Sequence, residues 1–231
     1  MQKRILEVRR LGRVAYAEAL EIQRVLETEV IGEGEKDFFL LLEHPHTFTI
    51  GRRAKETGVL ATDALLKNLC VEVFETNRGG KVTYHGLGQI VGYPIISLSP
   101  DREDVHKYVR DLEEVIIRTL SDFGIEGFRI EGLTGVHTRE GKVAAIGVHI
   151  KRWVTTHGFA LNVNTDLSYY NWIIACEGEP VASMDKLLGH EIGLGEVEEQ
   201  LISNFYDVFG YKADQRLTGN PHRPMYTTEA A

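Results

Sequence analysis

The sequence predicts an α+β fold, a mixed central β-sheet flanked by helices. Two long segments carry apolar residues at helical spacing. One five-residue run is continuously apolar, as a strand covered on both faces is. Between the helices lies a β-rich stretch with a hairpin signal, and helices and strands alternate irregularly. That order favours a mixed sheet over a doubly wound parallel one.

Residues 14–30 read as a helix, because Ala15, Ala19, Ile22 and Leu26 recur at its period with Glu and Arg between them. Phe38 to Leu42 is the buried strand. Residues 71–76 form another on the alternation of Val71 and Val73, and Ile90 to Leu98 a third, broken by Gly92 and Pro94. Residues 102–123 make the clearest helix: Val105, Tyr108, Leu112, Ile116 and Leu120 form one stripe, and Gly124 stops it. Gly135 to Arg139 and Lys142 to Ile150 flank a turn at Glu140-Gly141, and Val154 to Val163 adds a strand. The last helix spans 196–209, with Val197, Leu201, Phe205 and Val208 on one face. Residues 212–231 are polar and aperiodic, an extended or mobile tail behind a single catalytic domain over 1–211.

The chain has 231 residues, 43% hydrophobic and 26% charged, which fits one globular domain. No apolar run approaches the roughly 20 residues that span a bilayer, and Met1-Gln2-Lys3-Arg4 is not a signal core. A cytoplasmic protein without membrane contact is expected. Net charge of −8 argues against nucleic acid, whose phosphates need surplus Lys and Arg. Local basic clusters stand at Arg9-Arg10, Arg52-Arg53-Lys55 and Lys151-Arg152. The two cysteines, Cys70 and Cys176, form no Cys-x-x-Cys pair, and His44-Pro45-His46 reads as ordinary loop histidines. No metal and no cofactor is expected.

The densest chemical signal runs Arg78-Gly79-Gly80-Lys81-Val82-Thr83-Tyr84-His85-Gly86-Leu87-Gly88-Gln89. Glycines at this density are costly unless the backbone turns sharply or approaches a ligand. Gly86-Leu87-Gly88 is not a dinucleotide fingerprint, since the next glycine is Gly92 and a strand follows. The chain has neither a P-loop nor a Gly-x-Ser-x-Gly elbow. A ligand-free glycine hairpin is the competing reading.

Cys176 is preceded by apolar Ile173-Ile174-Ala175 and followed by Glu177-Gly178-Glu179-Pro180, so it stands where an ordered element ends. It is either a nucleophile or a buried inert thiol. An unperturbed thiol, pKa about 8.5, is only about 3% ionised at pH 7, so a nucleophile needs a neighbouring base or cation. Lys142, which opens the apolar strand Val143 to Gly147, is one choice. His85, His149 and His157 are others, and the pattern does not choose among them.

Taken together, these pieces resemble the lipoyl/octanoyl transferase family. The matching elements are Glu43-His44-Pro45 through Gly51, the Arg78 to Gln89 signature, Tyr93-Pro94, Gly141 to Gly147, His157 to Asn162, and Cys176. The family usually has proline at the position of Leu87, and Pro-Cys-Gly where Ala175-Cys176-Glu177 stands here. Glu177 is expected to face solvent, because an inward carboxylate would raise the thiol's pKa.

The resemblance implies a biotin/lipoate protein ligase-like fold and a two-step reaction. Octanoyl on acyl carrier protein passes to Cys176 as a thioester. It then passes to a lysine of a lipoyl domain, in a 2-oxoacid dehydrogenase complex or the glycine cleavage H protein. Cys176 would be the nucleophile and Lys142 its acid/base partner. Arg78, Gly79, Gly80, Lys81, Val82, Thr83, Tyr84 and His85 would line the acyl pocket with Ala145, Ile146, Gly147, Gly158, Phe159 and Ala160. Competing readings are an ATP-dependent lipoate or biotin ligase, a non-catalytic binder of acylated domains, and a cysteine thioesterase or amidase.

Overall fold

The computed structural model describes residues 4–33, 35–54, 58–174 and 179–212. A six-stranded sheet runs in the order β1-β2-β6-β9-β8-β7. Its strands are β1 (Ile5–Arg13), β2 (Lys36–Glu43), β6 (Gln89–Ile95), β7 (Val136–Thr138), β8 (Gly141–Lys151) and β9 (Val154–Asn162). Only β1 and β2 pair in parallel, joined by the crossover helix α1 (Tyr16–Glu33); the other neighbours are antiparallel. A three-stranded sheet packs beside it in the order β4-β3-β5, from β3 (Thr47–Ile50), β4 (Glu72–Glu75) and β5 (Val82–His85). The mixed sheet with flanking helices is the α+β architecture the sequence predicts.

The apolar run Phe38 to Leu42 lies in β2, and its two sets of side chains enter different cores. Phe39 and Leu41 meet α3 (Val105–Asp122) and α5 (Leu194–Phe209), while Phe38, Leu40 and Leu42 meet α1. Two short helices, α2 (Asp63–Asn68) and α4 (Met184–Leu188), lie between these in the chain. Burial on both faces removes any polar alternation. Helix α3 is capped by Asp104, whose side chain accepts from the Lys107 amide. Its stripe is as expected from Tyr108 to Leu120, but Val105 at its first position is exposed. Helix α5 ends at Gly210, which takes φ +71. No helix among the described residues is long and apolar enough to cross a membrane.

Several expectations need correction. The charged N-terminal segment is β1, an edge strand whose Arg9 and Arg10 sit on the sheet margin. The strand expected over 90–98 is not broken at Gly92 or Pro94; both lie inside β6. Pro94 has no N–H, and the Thr155 hydroxyl bridges the gap by donating to the Pro94 carbonyl and accepting from the Ile96 amide. The hairpin turn is Arg139-Glu140, since Thr138 already pairs with Gly141. The glycine-rich segment contains a true strand, β5, all four residues of which are buried. The strand expected over 71–76 is present as β4, an edge strand in which Val73 is exposed. The tail over 213–231 lies outside the described residues.

Candidate active site

Strand β5 divides its side chains between two environments because successive residues point to opposite faces. Tyr84 enters the core of the small sheet, where its hydroxyl bonds His46 Nδ1 at 2.8 Å and its ring stacks on Tyr169. Thr83 and His85 face the large sheet. Arg78, just before β5, is buried and pinned to β3: its guanidinium donates to the Thr49 carbonyl at 2.6 Å and to the Thr49 hydroxyl.

From the other side, β8 and β9 present three cross-strand pairs, Ala145–Ala160, Ile146–Phe159 and Gly147–Gly158. The last pair is glycine for steric reasons. A Cβ on Gly158 would stand 2.1 Å from the Gly92 carbonyl, and one on Gly147 would stand 2.9 Å from that of Gly79. The Gly79 amide donates to the Val148 carbonyl at 2.9 Å, which seats the turn before β5 on β8.

Between these walls lies a cavity of about 200 Å³. This is smaller than the roughly 300–1,000 Å³ of sites for drug-sized ligands. Of the fourteen pocket residues expected from sequence, the structure gathers twelve around it. Gly79 and Tyr84 do not line it, since one backs the wall and the other points away. Residues not assigned to the pocket from sequence complete it: Tyr16 from α1, Arg53, Tyr93, the turn Gly132-Leu133-Thr134, His157 and Glu179. Their scatter along the chain left no local pattern to find, although Tyr93 and His157 stood within the recognised motifs.

Lys142 also lines the cavity and is buried. Its amide donates to the Pro180 carbonyl at 2.8 Å, and its carbonyl accepts from the Ala182 amide at 2.9 Å. Residues 180–182 therefore pair with it through an isolated parallel β-bridge at Val181. Glu179 Oε2 lies 3.5 Å from Lys142 Nζ and 3.4 Å from His137 Nε2. Gly135, at φ +121, clears the lysine stem, because a Cβ there would meet Lys142 Cε at 2.9 Å. Cys176, with Ala175, Glu177 and Gly178, lies outside the described residues, so the expected orientation of Glu177 does too.

The cavity histidines are held neutral. Burial lowers the pKa of His85 well below its ordinary value, with the charge of Arg78 adding to the effect. His157 is lowered to about 3 by burial and by Arg78. His85 Nδ1 faces Gln89 Oε1 at 2.9 Å, an acceptor, so Nδ1 carries the proton. His157 sits at φ +57, and its Nε2 donates to Asn77 Oδ1 at 2.7 Å. Of the proposed partners for a cysteine, His149 does not line the cavity. Among the described residues no group of three or more His, Cys, Asp or Glu is placed to hold a metal ion.

The mixed sheet with flanking helices is a fold shared with lipoate and biotin protein ligases. The lipoate protein ligase from an archaeal lipoylation system of Thermoplasma acidophilum superposes with a TM-score of 0.69 at 18% identity, covering 93% of this chain and 87% of that one. The biotin protein ligase of Aquifex aeolicus does so with a TM-score of 0.51 at 11% identity, covering 90% and 70%. The profile of the lipoyl protein ligase A/B catalytic domain matches residues 15–206, and the chain belongs to that family. Within it, the chain is 51% identical over 206 residues to an octanoyltransferase of Solibacter usitatus, covering 89% of this chain and 93% of the relative. It is 47% identical over 210 residues to an octanoyltransferase of Rubrobacter xylanophilus, covering 89% and 94%.

Proposed function

We propose that this chain is an acyltransferase that moves an octanoyl group from acyl carrier protein to the lysine of a lipoyl domain, through a thioester on Cys176. The observation that carries the reading is the buried Lys142 in the cavity wall, hydrogen-bonded on both its amide and carbonyl to residues 180 and 182. Cys176 belongs to the same segment. It is three residues from Glu179, whose carboxylate touches Lys142. The octanoyltransferase relatives support the choice of acyl group.

In the first step the Cys176 thiol gives its proton to Lys142, and the thiolate attacks the carrier thioester. The carrier sulfur leaves and takes the proton back from Lys142. One thioester replaces another at little energetic cost. In the second step the lipoyl-domain amine attacks, Lys142 takes a proton from the amine nitrogen, and the Cys176 thiolate departs. The apolar walls from Ala145, Ile146, Phe159 and Ala160 hold the alkyl chain.

Incubation with octanoyl-loaded carrier, without acceptor and without ATP, is expected to add one octanoyl group to the wild-type chain. Intact-mass spectrometry reads it, and Cys176→Ala should show no adduct. Adduct formation in that variant at the wild-type rate would remove the cysteine. An absolute requirement for ATP would point to a ligase instead.

Acyl carrier proteins are acidic, and the cluster expected to dock them is Arg52-Arg53-Lys55: Arg52 and Arg53 are exposed beside the cavity, with Arg53 in its wall, and Lys55 lies outside the described residues. Charge reversal of this pair should raise the KM for loaded carrier several-fold, more at low salt, with kcat little changed. A KM that does not move would exclude this face as the carrier dock.

A further inference from the structure

The net reaction of the proposed transfer releases a proton. A thioester and an ammonium ion give a thiol, an amide and one H⁺. Lys142 and every other group end each cycle in the protonation state in which they began, so that proton leaves to solvent. A water-exposed base in the cavity wall can relay it from the incoming ammonium before the nitrogen attacks.

The cavity is also hostile to a cation. Arg53, Arg78 and Lys81 all line it. Glu179 is the single carboxylate among the described lining residues. Its side chain is 24% exposed, enough to exchange a proton with water. Both its contacts, to Lys142 Nζ at 3.5 Å and His137 Nε2 at 3.4 Å, fall on Oε2. Oε1 makes no hydrogen bond among the described residues. His137, 3% exposed, holds the carboxylate through this Nε2 contact.

We infer that Glu179, oriented by His137, is the subsite for the acceptor amine: it receives the lysine ammonium, takes one N–H proton onto its carboxylate and releases it to solvent. The freed amine then attacks the acyl carbonyl, and its second proton passes to Lys142 as the amide forms. This rests on the acyl-enzyme reading above and assigns the residue that its second step lacks.

The test separates the two half-reactions and two nucleophiles. Acyl-enzyme is formed from loaded carrier for wild type and Glu179→Gln. Each is then mixed at pH 7 with saturating lipoyl domain or with hydroxylamine, which arrives uncharged. Loss of the adduct is followed by mass spectrometry. Glu179→Gln should slow transfer to the lipoyl-domain lysine roughly a hundredfold, the size of a general-base contribution, and leave the hydroxylamine rate near wild type. Glu179→Asp should recover part of the loss. An equal fall with both nucleophiles, or none with either, would overturn the assignment. Failure of the wild type to form any adduct would instead defeat the acyl-enzyme reading, and the subsite with it.

Discussion

Lys142→Ala is expected to slow acyl-enzyme formation by about 10²- to 10⁴-fold, the range that a positioned acid/base group contributes. The fold should survive the change. Lys142 is held to Pro180 and Ala182 by its main chain, which alanine retains. Only the side chain in the cavity wall is lost, with its contact to Glu179. Lys142→Arg should not rescue the rate. A guanidinium keeps the charge but does not give up its proton near neutrality, so it can neither accept from the thiol nor exchange with the leaving sulfur. Rapid-quench measurement of adduct formation, beside thermal denaturation of both variants, checks this. A Lys142→Ala variant that acylates at the wild-type rate would take the base out of the proposed dyad.

The second large effect concerns acid. His44 is buried, donates through Nδ1 to the Val14 carbonyl at 2.7 Å and accepts through Nε2 from the Tyr93 hydroxyl at 2.8 Å. Burial lowers its pKa to about 4, and that of His157 to about 3, from an ordinary 6.5. Folding therefore favours the neutral rings. Their contribution to stability is complete above pH 6.5, where the unfolded chain is also neutral. It is lost as pH falls from there toward the folded values, because the unfolded state binds protons first. Between pH 6.5 and 5 each ring should cost on the order of 2 kcal/mol, at 1.36 kcal/mol per unit. Asp37, whose carboxyl is raised mainly by burial, works in the opposite sense. Denaturant midpoints at pH 7 and pH 5 read the total, and imidazole resonances read the individual rings. A flat profile, or rings that titrate near 6.5 in the folded protein, would contradict it.

Much of the scaffold was legible because burial leaves a period in the chain. Phe38 to Leu42 announced a strand covered on both sides, and helices α3 and α5 announced themselves by apolar stripes ending at glycines. Strands β3 and β5 did not. Four residues with glycine turns beside them give too few repeats to separate a strand from a loop. β1 was hidden because an edge strand tolerates charges such as Arg9 and Arg10 that a central strand excludes.

Sequence alone determined the residue types the site can use: a glycine-rich turn where Cβ atoms have no room, the Ala145–Gly147 and Gly158–Ala160 pairs, and a lysine opening an apolar strand. It left Lys142 level with three histidines until a family resemblance favoured it. Tertiary structure decided what those residues face. It buried His85 and His157, and that burial, aided by the neighbouring charge of Arg78, holds them neutral; it left His149 off the cavity. It set Glu179 against Lys142 although they are far apart in the chain. Periodicity reports which face of an element is buried, whereas contacts across strands depend on register and sheet order, which short-range pattern does not encode.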